Sequence, residues 1–228
     1  MKRLLITLIL LSIAATAQAD LRGVFEMPGQ ATMTVYYKDD NNIRIETEDE
    51  GFVLVTEDSV YTVISQHGRQ IAIDMAEMGR MMEQHNQDPL QEEDPAPTDI
   101  RRTDRTETVA GYEGRVHTVT VEGETLEIVL SDDDEVIELT RGFLTAINRM
   151  GQSVSPEADM DLEDMLEQIR DTGYPGILKQ DNGMVLQSLR NVDQPASFYR
   201  LPDGVDVMDM QGMPSAPPGG QQAPQGFQ

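Results

Sequence analysis

The chain has 228 residues, of which 41 are acidic and 17 are basic, and its net charge at neutral pH is −24. A field of that sign repels nucleic acid and anionic lipid headgroups, and we expect no nucleic-acid partner. Cysteine is absent, which excludes disulfides and thiol chemistry. The length suffices for one hydrophobic core with tails, and the acidic, lysine-poor composition favours a salty environment that screens self-repulsion.

Residues 1–19 have the composition of a signal peptide. Lys2 and Arg3 precede an apolar run that ends at Ala15, and Ala17-Gln18-Ala19 is a small-x-small cleavage site. The run is shorter than the ~20 residues of a membrane-spanning helix, although an uncleaved anchor is the alternative interpretation. We therefore predict cleavage before Asp20, export to the periplasm and no stable membrane anchor.

The stretch from Ala31 to Asp74 predicts an antiparallel meander of four or five strands. Apolar residues recur at period two, so they line one face of each strand. Clusters of turn-forming residues interrupt the alternation at residues 38–42, 49–51, 57–59 and 67–69. This pattern is typical of an antiparallel sheet with one apolar and one solvated face. An earlier strand is expected around Val24 and Phe25.

The period then changes to that of a helix. Met75, Met78 and Met82 lie at i, i+3 and i+7, which predicts a helix from Met75 to His85. The following residues, 86–100, combine acidic side chains with prolines and predict an acidic loop within the domain.

The second half of the chain predicts two hairpins and two helices. One hairpin has alternating residues over 117–121 and 126–130, and the other surrounds Asn182-Gly183, the strongest short hairpin signal. Apolar spacing predicts a short helix over residues 143–150 and a second over 162–169 that ends near Gly173.

Three further segments of this half are expected to be irregular or extended. Residues 131–135 are predicted to form a solvated acidic turn, and residues 198–207 a last extended piece. Residues 211–228, rich in Pro, Gly and Gln, predict a disordered tail. Residues 20–210 are thus predicted to form a single domain.

Several of these segments together resemble a family of exported bacterial domains of unknown function, related to the LolA/LolB-like lipoprotein-carrier fold. The resemblance lies in the strand pair Thr34–Lys38 and Ile43–Glu46, the strand-to-helix step at Ile73-Asp74-Met75, the segment Thr108–Gly114 and the closing segment Phe198–Val205. It implies an α+β fold, a strongly curved antiparallel sheet that forms an incomplete barrel around two or three helices, with an apolar hollow between them. The chain lacks an arginine-centred release site like that of the carriers.

We predict from this a non-enzymatic periplasmic binding module. It would hold an apolar ligand, such as an acyl chain or lipid, or dock a periplasmic protein partner in the concave sheet by burial of apolar surface. The residues expected to line the hollow are Tyr37, Ile45, Phe52, Met78, Met82, Val119 and Ile128. A purely structural or assembly role, with the core filled by its own side chains, is one alternative.

A second alternative is a copper protein. Thioethers are soft ligands that select monovalent copper, and Met78, Met81, Met82 and His85 lie along one helical flank. Packing of these methionines against the sheet is the more ordinary interpretation. The other histidines, His67 and His117, lack zinc-site spacing and are expected to be core or surface residues. No nucleophile, phosphate-binding or dinucleotide motif is found, so we expect neither an enzyme nor a cofactor.

Overall fold

A computed structural model describes residues 19–48, 51–66, 68–85, 99–121, 124–154, 162–181 and 183–208. The first strands are β1 (Asp20–Glu26), β2 (Thr32–Asp39), β3 (Asn42–Thr47), β4 (Phe52–Val55), β5 (Val60–Gln66) and β6 (Arg69–Asp74), followed by helix α1 (Met75–His85). The second half contains β7 (Asp99–Val109), β8 (Tyr112–Val121), β9 (Glu124–Ser131), α2 (Asp134–Val154), α3 (Leu162–Asp171), β10 (Gly176–Gln180), β11 (Val185–Val192) and β12 (Asp206–Val207).

Within the described ranges, the strands form one open sheet of twelve strands in the order β12-β6-β5-β4-β3-β2-β1-β11-β10-β9-β8-β7. All neighbours are antiparallel except β12, which pairs with β6 in parallel. The predicted meander from Ala31 to Asp74 is confirmed as β2 to β6, and each strand pairs with the next. The coarse fold prediction, an antiparallel sheet with helices, is therefore confirmed.

Helices α1 and α2 contact one face of the β1–β6 half of the sheet, which we call the inner face. Strand register places on this face the side chains of Leu21, Phe25, Val35, Tyr37, Ile43, Ile45, Val53, Val55, Val60, Thr62, Ile64, Ile71 and Ile73. Their apolar character follows from the period-two pattern, since burial against the helices is the main favourable term for such a sheet.

Helix α2 crosses the inner face from strand to strand. Val136, in its first turn, lies against Gly176 at the start of β10, and Leu139 lies against Gly23 of β1. One turn later, Gly142 lies against the ring of Tyr37 on β2. Near its C-terminus, Arg149 donates hydrogen bonds to the Asp40 and Glu57 carbonyl oxygens, in the turns after β2 and β4.

The opposite, outer face of β3–β6 has its own small core. Phe52, Leu54, Val63 and Ala72 form this second cluster, and Leu201 and Val205 from the C-terminal segment pack against it. The same segment contributes Tyr199, whose buried hydroxyl donates a 2.8 Å hydrogen bond to the buried Asp20 carboxylate. The C-terminal segment thus packs on the outer cluster and also forms a hydrogen bond to the first residue of β1.

Arginine and aromatic side chains extend this packing. The Arg44 guanidinium lies 3.6 Å from the ring centroid of Phe52 and 4.5 Å from that of Phe198. The Phe198 ring also lies edge-on to Tyr36 at 4.8 Å. Stacking of a guanidinium between two rings explains why a charged residue is tolerated on a largely covered face.

Several predicted boundaries are wrong. The acidic residues 131–135 do not form a solvated turn: Asp133 accepts a hydrogen bond from the Glu135 amide, and α2 begins at Asp134, because acidic side chains stabilise a helix N-terminus. The same helix continues to Val154, beyond the predicted end at residue 150.

Two other segments also differ from the prediction. The acidic loop was expected to extend to residue 100, but β7 already begins at Asp99 because its backbone pairs with β8. Residues 198–207 are not one extended piece, since Ala196–Tyr199 form a 3-10 helix and only Asp206–Val207 are strand. The predicted signal peptide and tail, and the remainder of the acidic loop, lie outside the described residues. No helix in the described ranges combines the length and apolar character needed to cross a membrane.

Candidate functional site

The centre of the inner face is filled by the protein's own side chains. Val35, Ile43 and Val55 are completely buried there, and α2 lies so close that a Cβ atom on Gly142 would be 2.2 Å from the Tyr37 ring. An added Cβ would overlap the ring, so the helix and the strand already pack against each other without space between them. A predicted hollow of any size cannot therefore occupy the region beneath the middle of α2.

Apolar exposure remains at the β5–β6 end of the same face. Ile64 on β5 is 37% exposed, and Met82 on α1 is 46% exposed. Val53, Ile71 and Ile73 on this end are partly buried, as is Met78 of α1. We call this set, Val53, Ile64, Ile71, Ile73, Met78 and Met82, the apolar margin. It is defined only by residues in the described part of the chain.

Helix α1 is held over this margin at its N-terminal end. The Asp74 carboxylate accepts hydrogen bonds from the amides of Ala76 and Glu77, as an N-terminal cap does. The Met75 thioether accepts a hydrogen bond of 3.2 Å from the Thr62 hydroxyl on the inner face. Gly79 allows the helix to approach the C-terminal carbonyl oxygens of α2, because a Cβ there would be 2.4 Å from the Val154 oxygen.

The structure brings together only some of the predicted lining residues. Tyr37 and Ile45 lie on the inner face, but both are buried in the main core. Met78 and Met82 belong to the apolar margin, whereas Phe52 lies on the outer face beneath Arg44. The expectation that Phe52 shares a surface with Tyr37 is wrong. Because β4 is apolar on both faces, its composition does not indicate which face Phe52 occupies; the pairing of β4 with β3 places it on the outer face.

The remaining predicted lining residues lie at the other end of the sheet. Val119 on β8 and Ile128 on β9 are both partly buried. Register and alternation place them on one face of the β7–β9 strands, together with His117, which pairs directly with Ile128. Ile100 on β7 pairs with Val119 and adds to the same surface.

The methionines of the alternative copper site are not equivalent. Met78 packs against the main core, Met81 is partly buried and Met82 is exposed. The His85 side chain lies outside the described set. Within the described residues, no three His, Asp or Glu side chains are grouped as metal ligands. Copper binding by the methionine flank stays a prediction.

His117 belongs to a polar cluster that the sequence did not indicate. The imidazole is fully buried, and its Nδ1 lies 3.1 Å from the Arg115 carbonyl oxygen. The ring centroid of Tyr174 lies 5.9 Å from that of His117, and the Arg102 and Arg115 guanidinium carbons lie 5.6 and 5.9 Å from the Tyr174 centroid. Burial, and then the two positive charges, lower the pKa of His117.

Sequence reasoning could have found part of this cluster. Arg115 and His117 are two residues apart in a segment that alternates with apolar residues, and the period of a strand places such residues on one face. Nothing in the sequence, however, indicates that Arg102 pairs with His117 across strands or that Tyr174, after α3, packs on both. These contacts depend on the register of β7 and on the return of the chain from α3.

An open pocket of about 310 Å³ lies elsewhere, at the ends of β1, β2 and β11. Its lining, Val24, Phe25, Glu26, Gln30, Thr32 and Gln187, mixes polar and apolar side chains. The Gln187 amide donates a hydrogen bond to Glu26 at its rim. It contains none of the predicted lining residues.

Comparison with known proteins gives no functional information. No protein-family model matches the sequence, and no curated protein matches it. Two solved structures of PNGF-II, in space groups P21 and C2, are similar with a TM-score of 0.37 each, at 9% and 8% identity. The matches cover 85% and 83% of this chain but 32% and 30% of the PNGF-II chain. The chain therefore spans about a third of the length of those structures.

Proposed function

We propose that the protein is a non-enzymatic periplasmic binding module that holds a neutral apolar ligand, such as an acyl chain, at the apolar margin between α1 and β4–β6. The observation that carries the proposal is the distribution of exposure on the inner face. Apolar side chains are closed off at the centre, whereas Ile64 and Met82 remain exposed at one end. Exposed apolar side chains that lie together beside a core are candidates for a binding surface.

The chemistry of this margin suits flexible hydrocarbon. Met78 and Met82 present unbranched, polarisable side chains that adapt to ligands of different shape. Each methylene group buried there would contribute about 0.8 kcal/mol. The strongly acidic chain would repel an anionic headgroup at the surface, so a neutral ligand is favoured.

Contacts between distant strands support the incomplete-barrel architecture. β7 contacts β11, although β8, β9 and β10 lie between them in the sheet. A flat sheet would separate these strands by about 19 Å. The Lys179 ammonium of β10 also lies 2.9 Å from the Glu107 carboxylate of β7. Such contacts favour a sheet that curls in this half, as the LolA-like resemblance implies.

Binding of a neutral fluorescent probe, N-phenyl-1-naphthylamine, tests the proposal. We expect saturable binding that octanol, decanol and dodecanol displace with rising affinity, by about fourfold for each added methylene. Met82→Glu should weaken probe binding by at least tenfold, because it places a charge within the apolar margin.

Val207→Glu is the matched control. Val207 is 51% exposed, but it lies on β12 beside Ala72 of the outer cluster. The proposal fails if the two variants weaken binding equally, or if affinity does not depend on chain length. Native mass spectrometry of protein from the source cell then identifies a bound lipid; a clean apo mass together with no probe binding favours the structural role.

A further inference from the structure

The His117 cluster combines features that a purely structural packing does not require. Arg102, on β7, pairs across strands with His117 on β8, and Arg115 lies two residues before His117 on the same face. Tyr174 packs against the two guanidinium groups and the imidazole. Two positive charges and a buried imidazole thus converge on one aromatic ring.

Neither arginine is neutralised by an acid in the described part of the chain. The ion pairs among the described residues join acids to other basic residues, including Lys179, Arg44 and Arg141, and no described carboxylate oxygen lies within 4.0 Å of an Arg102 or Arg115 nitrogen. In a chain with 41 acidic residues, carboxylates are abundant partners. Two guanidinium groups that pack on one ring, with no described carboxylate within 4.0 Å of either, therefore form a locally positive site within an acidic protein.

Two buried polar atoms of the cluster also lack partners. Nε2 of His117 and Nε of Arg115 are both buried, and neither forms a hydrogen bond. Because a carbonyl oxygen can only accept, Nδ1 of His117 must donate to the Arg115 carbonyl, which leaves Nε2 as a bare acceptor in the neutral imidazole. An unsatisfied buried polar atom destabilises the fold by about 1–3 kcal/mol, so two such atoms in one cluster indicate a binding partner that is absent from the free protein.

The backbone beside the cluster is irregular. Between Arg102 and Thr106, the β7–β8 register shifts, so that residues 103–105 oppose only Val116. The Thr103 hydroxyl donates a 2.7 Å hydrogen bond to the Val116 carbonyl oxygen and holds this bulge. Bulges of this kind redirect side chains and often lie next to binding sites. Arg102, which is exposed, forms the solvent side of the cluster.

We infer that Arg102, Arg115 and His117 form a binding site for an oxyanion, a carboxylate or phosphate group, whose attached apolar part lies over Val119 and Ile128. The guanidinium groups donate charge-assisted hydrogen bonds to the oxyanion. The negative charge offsets the repulsion between the arginines and the imidazole. Nε2 of His117 then takes one proton from solvent and becomes a further donor to the ligand.

This site goes beyond the proposed function, because it lies on β7–β9 at the opposite end of the sheet from the apolar margin. Carboxylates and phosphates share the chemistry, so dodecanoate and dodecyl phosphate are the two probes, with dodecanol as the neutral control of the same chain length. We expect one or both anions to bind the full chain at least tenfold more tightly than dodecanol, in calorimetry below their micellar concentrations. The anion that binds more tightly shows whether the site prefers a carboxylate or a phosphate group.

Two variants distinguish anion binding at this site from a general effect of the charge of the protein. Arg102→Gln should weaken anion binding by about tenfold. Arg105→Gln removes the same charge from the same strand, but Arg105 pairs with Glu127, so it should leave binding unchanged. Equal weakening by both variants, or equal affinity for dodecanoate, dodecyl phosphate and dodecanol, overturns the inference while leaving the apolar margin untouched.

A direct readout reports on His117. At pH 7.5, binding measured in buffers of different ionisation enthalpy should take up about one proton, and the imidazole resonances of His117 should shift to those of the protonated form. Neither effect is expected in Arg102→Gln at the same ligand concentration. Anion binding without proton uptake would show that His117 only packs in the core.

Discussion

At the scale of single residues, burial raises the pKa of three tyrosines, Tyr37, Tyr112 and Tyr199. The pKa of Tyr37 is raised to about 12, first by burial and then by its hydrogen bond to Asp40, against the opposing effect of Arg141. The pKa of Tyr112 is also raised to about 12, by burial and by its hydrogen bond to Glu135. Both phenols therefore keep their protons in the folded chain at a pH where the unfolded chain loses them.

This difference predicts that stability falls at alkaline pH. Below the unfolded pKa of about 10, both states are protonated and the contribution of each tyrosine is fully present. As the pH rises from about 10 towards 12, the unfolded state releases the proton first, and the free energy of unfolding falls by up to about 1.4 kcal/mol per pH unit for Tyr37. Urea unfolding between pH 9 and 11.5 measures this slope.

Tyr37→Phe should reduce the alkaline slope by about one proton, and Tyr37→Phe with Tyr112→Phe by about two. The single variant is also less stable at neutral pH, because Asp40 and Arg141 lose a partner. The slope and the neutral-pH stability are thus independent measurements. An unchanged slope in the double variant would contradict the assignment.

At the scale of elements, the strands and α1 could be predicted because local pattern and tertiary role agree. The meander alternates between turn clusters, and α1 begins where the period changes at Met75. The β7–β8 hairpin is sharp because Ala110 and Gly111 both take positive φ, the geometry of a two-residue turn. The beginning of α2 was missed because a run of acids predicts a solvated turn as readily as a helix N-terminus.

Contact between α1 and α2 gives a prediction for Gly79. Alanine in place of glycine within a helix normally stabilises it by about 1 kcal/mol. Here the added Cβ would be 2.4 Å from the Val154 oxygen and 2.6 Å from the Ser153 oxygen, and neither backbone atom can rotate away. We expect Gly79→Ala to lower the free energy of unfolding by about 1–3 kcal/mol and to displace α1 from the apolar margin.

Gln152→Ala is the control for Gly79→Ala. It changes an exposed residue on the same turn of α2, so its effect on urea unfolding should stay within about 0.5 kcal/mol. A stabilised Gly79→Ala protein would show that the two helices do not meet at this point.

At the scale of the whole molecule, the sequence indicates an apolar interior but not which parts of it stay open. Tyr37 and Ile45 were expected to line a hollow, yet α2 covers them, since Gly142 lets the helix approach the Tyr37 ring. Period-two alternation specifies the face of a strand, not the element that covers it. The His117 cluster could not be predicted for a similar reason, because its members come from β7, β8 and the segment after α3 and meet only through register.

The net charge of −24 gives a prediction for the molecule as a whole. With 41 acidic and 17 basic residues, the acidic side chains outnumber the basic ones by 24, so repulsion among unpaired acids destabilises the folded chain. Salt reduces the range of this repulsion from about 10 Å at 0.1 M to about 3 Å at 1 M. Local ion pairs such as Lys179–Glu107 weaken as well, but exposed pairs contribute at most about 1 kcal/mol each.

We therefore expect the unfolding temperature to rise by about 5 °C between 0.05 and 1 M KCl, which corresponds to roughly 1–2 kcal/mol for a chain of this length. Scanning calorimetry in KCl, NaCl and choline chloride measures the effect. Screening predicts the same rise in all three salts, and sucrose at equal osmolarity controls for exclusion of solute from the surface. A flat or falling unfolding temperature would mean that ion pairs, and not repulsion among acids, dominate the electrostatics of the fold.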